Sequence, residues 1–237
     1  MSKRAVDSQP IAGSAMPDLP ARVAQLRYLD LDQLDSAALN EAPLSDRERA
    51  RADRFVTATL RRRYIGAHLF LRHVLGNACG TDPAELVFIE NNWGRPALAD
   101  YPHLHFNLSH SQQMALLGIS PIAPIGVDIE HVQHWPDGEL QSLSKTIMTA
   151  SEQLALQKHP APAQAFITAW TRKEACVKAL GLGLSYDVQT LEVGLSPTTG
   201  QITAAANRES LLTACGLDLS TTKGPGNTIV SVATRHV

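Results

Sequence analysis

The sequence predicts an α+β fold made of two similar subdomains. Helical and strand-like segments occur in both halves of the 237-residue chain, and each half runs in the order strand, long helix, strands. A seam separates the halves near Ser120–Pro124. We therefore expect an N-terminal subdomain at residues 21–122 and a C-terminal subdomain at residues 123–237, preceded by a loose tail rich in Ser, Ala and Pro at residues 1–20.

The N-terminal half is expected to contain a long helical stretch between short strands. Ser45, followed three residues later by Glu48, is a capping box that opens a helix. The helical pattern continues with a break to Leu75, and Gly76 and Gly80 end it. Alternation or short apolar runs predict strands at Val23–Leu31, Leu86–Ile89, Leu104–Leu108 and Met114–Ile119.

The C-terminal half is expected to repeat this order. A long helix is predicted from about Pro162 to Leu180, where Gly181-Leu182-Gly183 stops it. Residues 139–158 also have a helical pattern. Strands are predicted at Ile125–Glu130 and, more weakly, at residues 188–194, 200–205 and 228–234.

Composition narrows the classes of partner and compartment. The net charge of -2 does not favour nucleic acid or an anionic membrane as the main partner, although the arginines between Arg47 and Arg72 leave a local anion site open. The three cysteines, Cys79, Cys176 and Cys215, have no CxxC spacing and an odd count, which favours a reducing compartment. No signal peptide and no apolar run of about 20 residues is present, so we expect a cytoplasmic protein.

Two carboxylates lie on one face of a predicted strand. In the segment Ile125–Glu130, side chains alternate between faces, so Asp128 and Glu130 point the same way with Cα atoms roughly 6.5 Å apart. Like charges this close repel unless a cation joins them, and oxygen ligands suit a hard ion such as Mg²⁺. The alternative is an amphipathic strand with a solvated acidic face.

A glutamate and a lysine stand at the edge of an apolar helix face. At 100° per residue, Phe166, Trp170 and Val177 form one stripe of the predicted helix, and Glu174 and Lys178 flank it. One interpretation is a further metal-binding carboxylate beside a cation that contacts phosphate. The other is an ordinary i,i+4 ion pair on the helix surface.

Several segments could bind an anion. Ser109, His110 and Ser111 follow a strand and can all donate hydrogen bonds to phosphate. Arg95 lies on a constrained loop, and Arg61-Arg62-Arg63 lies on a helix where three successive residues cannot share one face. A solvated helix surface would explain the same arginines. A serine hydrolase is disfavoured because no Gly-x-Ser-x-Gly elbow is present.

Taken in order, these motifs resemble the 4′-phosphopantetheinyl transferase superfamily, and specifically the Sfp type that activates peptide and polyketide synthetases. The resemblance rests on Gly94-Arg95-Pro96, Phe106-Asn107-Leu108-Ser109-His110-Ser111, Gly126-Val127-Asp128-Ile129-Glu130, and Trp170-Thr171-Arg172-Lys173-Glu174-Ala175-Cys176-Val177-Lys178. It implies the fold of that family, two similar subdomains related by pseudo-twofold symmetry. Coenzyme A would bind in the cleft between them as the donor substrate.

The resemblance also implies roles for individual residues. The Mg²⁺ carboxylates would be Asp128, Glu130 and Glu174, and Lys178 would contact the coenzyme A diphosphate. The remaining coenzyme A contacts would be Ser109 and His110 at a phosphate, Arg95 where relatives often have lysine, and Arg51 and Arg63 at the 3′-phosphate, with Arg62 in place of Arg63 if the alignment is off by one.

The implied reaction joins coenzyme A to a protein partner. A serine of an apo acyl or peptidyl carrier protein would attack the phosphate that bears pantetheine, and 3′,5′-ADP would leave. Glu174, directly or through a metal-bound water, would take the proton of that serine, and Lys178 would stabilise negative charge, so these two are the expected catalytic residues. We expect a monomer that binds neither nucleic acid nor membrane.

Two other functions fit parts of the sequence. A Mg²⁺-dependent phosphate-ester or diphosphate hydrolase would use the same carboxylates with water as the nucleophile. A nucleic-acid module could use the arginines between Arg47 and Arg72, but the net charge of -2 and the lack of interleaved aromatic residues count against it.

Overall fold

The structure, a computed structural model, describes residues 24–136, 138–183, 186–196, 200–202 and 216–235. The predicted loose tail and Cys215 lie outside these ranges. The N-terminal half contains β1 (Gln25–Asp30), α1 (Ser36–Asn40), α2 (Asp46–Ala52), α3 (Ala58–Cys79), β2 (Phe88–Glu90), β3 (Pro96–Leu98), β4 (His105–Ser111) and β5 (Met114–Ser120). The C-terminal half contains β6 (Ile125–His131), α4 (Glu139–Ile147), α5 (Ala150–Gln157), α6 (Pro162–Leu180), β7 (Gly200–Ile202), β8 (Leu217–Gly224) and β9 (Thr228–Arg235).

The two halves repeat one topology. In the first half the sheet order is β1-β5-β4, and in the second it is β6-β9-β8-β7. Each half therefore has a first strand, a long helix and then an antiparallel hairpin, and the second strand of the hairpin pairs with the first strand. The prediction of an α+β fold with two similar subdomains is confirmed.

Local sequence signals account for the ends of the long helices. Ser45 and Glu48 form the predicted capping box at the start of α2, with hydrogen bonds in both directions. The predicted break separates α2 from α3, whose N-cap is Thr57. Helix α3 continues through Gly76 and ends at Gly80, which adopts a left-handed φ of 65°. Helix α6 has the predicted bounds and ends at Gly181 in the same conformation, with a φ of 69°.

The described residues form three apolar clusters, one in each half and one between the halves. One packs against α3 and a second surrounds α6. The third lies between the halves and consists of Met114, Leu116, Ile125, Val127, Ile129 and Val230. Val127 and Ile129 are completely buried, as the strand alternation predicted. Because β4 and β5 pack directly on β6, the seam is a close-packed interface.

Some predicted elements are wrong in detail. Residues 139–158 form two helices, because Thr149 and Glu152 make a new capping box that starts α5. Residues 188–194 contain a short 3-10 turn in place of a strand. Strand β7 covers the first part of the predicted strand at 200–205, whose remainder lies outside the described residues. Strands β3 and β8 were not predicted. Within the described ranges, no helix is long and apolar enough to cross a membrane.

Candidate active site

The site depends on an unusually close approach of β6 to α6. A Cβ atom on Gly126 would lie 2.1 Å from the backbone oxygen of Ala175 and 2.3 Å from the backbone nitrogen of Ala179. No residue with a side chain fits there, since both obstacles belong to the helix backbone. This glycine therefore lets the strand that carries Asp128 and Glu130 lie against the helix that carries Glu174 and Lys178.

Three alternate residues of β4 hydrogen-bond across the seam to β6. The side-chain oxygen of Asn107 accepts from the backbone N–H of Val127 at 2.8 Å. Ser109 Oγ donates to Asp128 Oδ1 at 2.8 Å. Ser111 Oγ donates to Glu130 Oε2 at 2.7 Å. Because side chains two apart share a strand face, one face of β4 supports the backbone and both carboxylates of β6.

Asp128 is buried and paired with Lys178. Its side chain is only 4% exposed, and Lys178 Nζ donates to its Oδ1 at 2.6 Å. Lys178 Nζ also contacts Ser109 Oγ at 3.2 Å and the backbone oxygen of Val127 at 3.3 Å. The solvated acidic face considered as an alternative is therefore wrong for Asp128. The alternative of an ordinary i,i+4 ion pair between Glu174 and Lys178 on the helix surface is wrong as well, because Lys178 pairs with Asp128 of β6.

Glu174 is half-buried beside these groups, and its carboxylate makes no hydrogen bond or ion pair with any described residue. Burial raises its pKa; the positive charge of Lys178 opposes that change, and the negative charges of Asp128 and Glu130 add to it. The pKa of Glu130 is also raised by burial and by the charge of Asp128, against hydrogen bonds from Ser111 and Trp170. The three carboxylates thus act on one another electrostatically, as expected for neighbours.

Asp128, Glu130 and Glu174 offer carboxylate oxygens of the kind that a divalent cation binds. No three acidic, histidine or cysteine side chains of the described residues already converge closely enough to hold a metal ion. However, Asp128 Oδ2 is buried and has no hydrogen-bond partner among the described residues, although buried carboxylate oxygens are normally satisfied. Three interacting carboxylates around an unpartnered oxygen fit a hard, oxygen-seeking ion such as Mg²⁺.

His110 follows Ser109 on β4 and is exposed. Adjacent strand residues point to opposite faces, so the imidazole and the Ser109 hydroxyl do not share a face. Loss of hydration around its partly covered ring, followed by the positive charges of Lys178 and His68, lowers the pKa of His110. The lowered pKa favours the neutral imidazole, which can still donate one N–H to an anion.

Arg95 is engaged at the seam. Its guanidinium donates to the backbone oxygen of Ala179 at 2.9 Å and to that of Ile125 at 3.1 Å, and burial lowers its pKa. Beside it, the side-chain nitrogen of Asn91 donates to the Gly181 oxygen at 3.2 Å. Arg95 thus ties the loop before β3 to the end of α6. Its expected contact with coenzyme A stays a prediction.

The predicted 3′-phosphate arginines differ in their surroundings. Arg63 makes two hydrogen bonds to Asp32, at 2.9 and 2.6 Å. Arg62 donates to the backbone oxygen of Leu34. The side chain of Arg51 is exposed, and its guanidinium makes no hydrogen bond or ion pair to any described residue. Arg51 is therefore available to a ligand without breaking a contact, whereas a ligand must compete with Asp32 for Arg63.

Lys173, within the Trp-x-x-Lys-Glu-Ala-x-x-Lys motif, has a structural partner that sequence reasoning missed. Its fully buried ammonium lies 2.7 Å from Glu152 Oε2 and donates to the backbone oxygens of Val188 and Leu191. Two backbone oxygens of residues 188–194, where a strand was predicted, therefore accept hydrogen bonds from this lysine. The motif therefore combines a buried anchor with two groups that face the site.

Ser111 was predicted as a possible donor to phosphate but not as a partner of Glu130. Asn107 is a site residue without a predicted role, although the sequence contained a signal for it. Polar residues alternate with apolar ones through Phe106-Asn107-Leu108-Ser109, which is the pattern of a strand with one polar face. His68 was also missed. Its Nδ1 hydrogen-bonds Glu48 at 2.9 Å, and its ring packs against Tyr64. His68 also acts electrostatically on His110 and contributes to lowering the pKa of that residue.

With this geometry established, comparisons with known proteins identify the family. A family described as the 4′-phosphopantetheinyl transferase superfamily matches residues 124–225. The 4′-phosphopantetheinyl transferase HetI of Nostoc sp. is 36% identical over 176 residues, which are 72% of this chain and 73% of that protein. The chain belongs to the 4′-phosphopantetheinyl transferase superfamily. The resemblance seen in the motifs is confirmed.

Other relatives agree with this assignment. The 4′-phosphopantetheinyl transferase psf-1 of Bacillus pumilus is 30% identical over 65% of this chain and 64% of its own length. A 4′-phosphopantetheinyl transferase of Bacillus subtilis is also 30% identical, over 65% of this chain and 67% of its own length. Among solved structures, the holo-[acyl-carrier-protein] synthase of Thermotoga maritima aligns with a TM-score of 0.34 and 15% identity over 48% of this chain and 63% of that chain, and the family assignment does not depend on it.

As a phosphopantetheinyl transferase, the protein uses coenzyme A as its donor and transfers the phosphopantetheine group to carrier proteins.

Proposed function

We propose that this transferase requires Mg²⁺ and that Asp128, Glu130 and Glu174 hold the ion beside the diphosphate of coenzyme A. The observation that carries the proposal is the gathering of these carboxylates from β6 and α6 around Lys178, with Asp128 Oδ2 buried and unpartnered. When bound, Mg²⁺ supplies positive charge that neutralises the diphosphate and the leaving group.

The proposed transfer balances without a covalent enzyme intermediate. The hydroxyl oxygen of the carrier-protein serine bonds to the phosphorus that bears pantetheine, and the bond from that phosphorus to the bridging oxygen of the diphosphate breaks. The serine proton goes to Glu174, which is the carboxylate of the cluster without a hydrogen bond to a described residue. The leaving 3′,5′-ADP takes the electron pair, and Lys178 and His110 stabilise its negative charge.

The remaining polar groups have binding roles in this proposal. Ser109 contacts both Asp128 and Lys178, and its hydroxyl donates to a phosphate oxygen when that oxygen replaces Asp128 as its acceptor. Arg51 and Arg63 bind the 3′-phosphate. Arg95 holds the two halves together beside the coenzyme A site through its hydrogen bonds to Ala179 and Ile125. The protein acts in the cytoplasm as a monomer on an acyl or peptidyl carrier protein in this proposal. Both halves of the site come from one chain, so a second copy is not needed to complete it.

Substitution of Glu174 tests the catalytic assignment. Glu174→Gln keeps the shape of the side chain and breaks no described hydrogen bond, so we expect normal folding and a loss of turnover of about 10²-fold or more. Glu139→Gln, on an exposed position of α4, is the matched control and should keep full turnover. Normal turnover in Glu174→Gln would remove this residue from the reaction.

Mass spectrometry of apo carrier proteins from fatty-acid, polyketide, nonribosomal-peptide and lysine pathways measures the product. A gain of about 340 Da marks transfer of the phosphopantetheine arm. Removal of divalent cations with a chelator should abolish the gain, and Mg²⁺ should restore it. Cleavage of coenzyme A in the absence of acceptor would instead indicate the hydrolase considered above.

A further inference from the structure

We propose that Ser111 is a positioning residue that holds Glu130 in its metal-binding orientation. Ser111 stands two residues after Ser109 on β4, as Glu130 stands two residues after Asp128 on β6. The two serines donate to the two carboxylates at nearly equal distances, 2.8 and 2.7 Å. The inference rests on the Mg²⁺ site of the proposed function.

The two carboxylates differ in how they are held. Asp128 is fixed by Lys178 as well as by Ser109. Glu130 forms no ion pair with any described residue and has a longer side chain with one more rotatable bond. Its orientation therefore depends on the hydrogen bond from the hydroxyl of Ser111.

The orientation of the Ser111 hydroxyl is itself fixed. Its oxygen accepts from the backbone N–H of His131 at 3.3 Å, and His131 Nδ1 lies at the same distance. The serine is the last residue of β4 and pairs with Met114 across the hairpin, which limits its backbone. Because the Ser111 oxygen accepts the N–H of His131, its hydroxyl hydrogen points toward Glu130.

Partners of this kind matter because a metal-binding carboxylate must be held in the right direction before the ion arrives. Loss of such a partner typically weakens metal binding by about 10- to 100-fold. Ser111 allows a cleaner test than Ser109, because Ser109 also contacts Lys178 and its loss would disturb the charge balance of Asp128.

The experiment compares Ser111→Thr with Ser111→Val, which have the same shape and differ in the hydroxyl. Binding of Mn²⁺ to the full-length protein with coenzyme A present is measured by electron paramagnetic resonance, and the Mg²⁺ concentration for half-maximal transfer is measured in parallel. We expect Ser111→Thr to stay within about threefold of the wild type and Ser111→Val to bind Mn²⁺ about tenfold or more weakly. The Mg²⁺ concentration for half-maximal transfer should rise in parallel for Ser111→Val and should stay within about threefold of the wild type for Ser111→Thr.

Equal Mn²⁺ affinity in the two variants would overturn the proposal, whether both match the wild type or both bind the ion more weakly. A double-mutant cycle with Glu130→Ala gives a second measurement. If Ser111 acts through Glu130, Ser111→Val should have no further effect on Mn²⁺ binding in that background, and an undiminished effect would refute the assignment. Wild-type protein that binds Mn²⁺ but transfers nothing would refute the proposed function and leave the comparison at Ser111 interpretable.

Discussion

Replacing Gly126 with alanine should destabilise the protein and inactivate it together. The new Cβ would stand 2.1 Å from the backbone oxygen of Ala175, and real Cβ contacts are essentially never shorter than 3.0 Å. Strand β6 must therefore move away from α6 by about 0.9 Å, the difference between these two distances. Neither obstacle can rotate away, because both nearest atoms belong to the helix backbone.

The size of the effect follows from this displacement. Forced overpacking of a core costs about 1–3 kcal/mol and sometimes more, and a backbone obstacle places Gly126→Ala at or above about 3 kcal/mol. For a chain of this length that corresponds to a melting temperature lower by about 6–12 °C. A misplacement of about 1 Å between β6 and α6 should also lower turnover by about 10²-fold, because the catalytic groups lie on both elements.

The assay is thermal and chemical unfolding together with transfer of phosphopantetheine to an apo carrier protein. Gly66→Ala is the control, since its Cβ would meet the end of the flexible Leu34 side chain at 2.7 Å. Alanine is favoured over glycine within a helix by about 1 kcal/mol, so this variant should be close to neutral. A Gly126→Ala protein that melts within about 2 °C of the wild type and keeps full turnover would refute the reasoning.

Three further predictions concern buried charges and the donor. Burial alone would raise the pKa of Glu48, but hydrogen bonds from His68, Arg72 and Ser45 lower it below its usual value. The ionised Glu48 therefore stabilises the folded protein above the unfolded-state pKa of about 4.5, and this stabilisation is lost as the pH falls below that value. Glu48→Gln should cost about 3 kcal/mol at pH 7, and unfolding measured from pH 7 to pH 3 should show the gap to wild type narrowing below about pH 4.5. Lys173→Met should cost about 3–5 kcal/mol because its partner carboxylate stays buried and unpaired, whereas Lys158→Met, at an exposed position, should be neutral in the same unfolding assay. Arg63→Ala should raise KM for coenzyme A about tenfold and leave that for dephospho-coenzyme A unchanged, with Arg61→Ala as the control; equal losses for both donors would exclude Arg63 from the 3′-phosphate site.

Much of the fold was accessible from local signals. Helix α6 could be bounded because Pro162 suits the first helical turn and Gly181 the left-handed end. The break before α5 was missed although Thr149 and Glu152 carry the capping-box pattern. The alternation in Leu217-Asp218-Leu219 likewise indicated β8.

Other features could not be found without the tertiary structure. Residues 188–194, where a strand was predicted, give no local sign that two of their backbone oxygens accept hydrogen bonds from Lys173, an anchor some 15 residues earlier in the chain. The same limit applies to the site. Alternation placed Asp128 and Glu130 on one face, but the burial of Asp128 depends on β4 and α6, which no local pattern brings to it.

The hydrogen bonds and apolar contacts that cross the seam have a thermodynamic consequence. If one half melted, Asp128 would lose Ser109 and the apolar side chains of β6 would lose their cover, so the second half would be left far less stable. The two halves should therefore unfold in a single cooperative transition. If coenzyme A binds between the two halves, the midpoint temperature of this single unfolding transition should rise with the logarithm of the coenzyme A concentration.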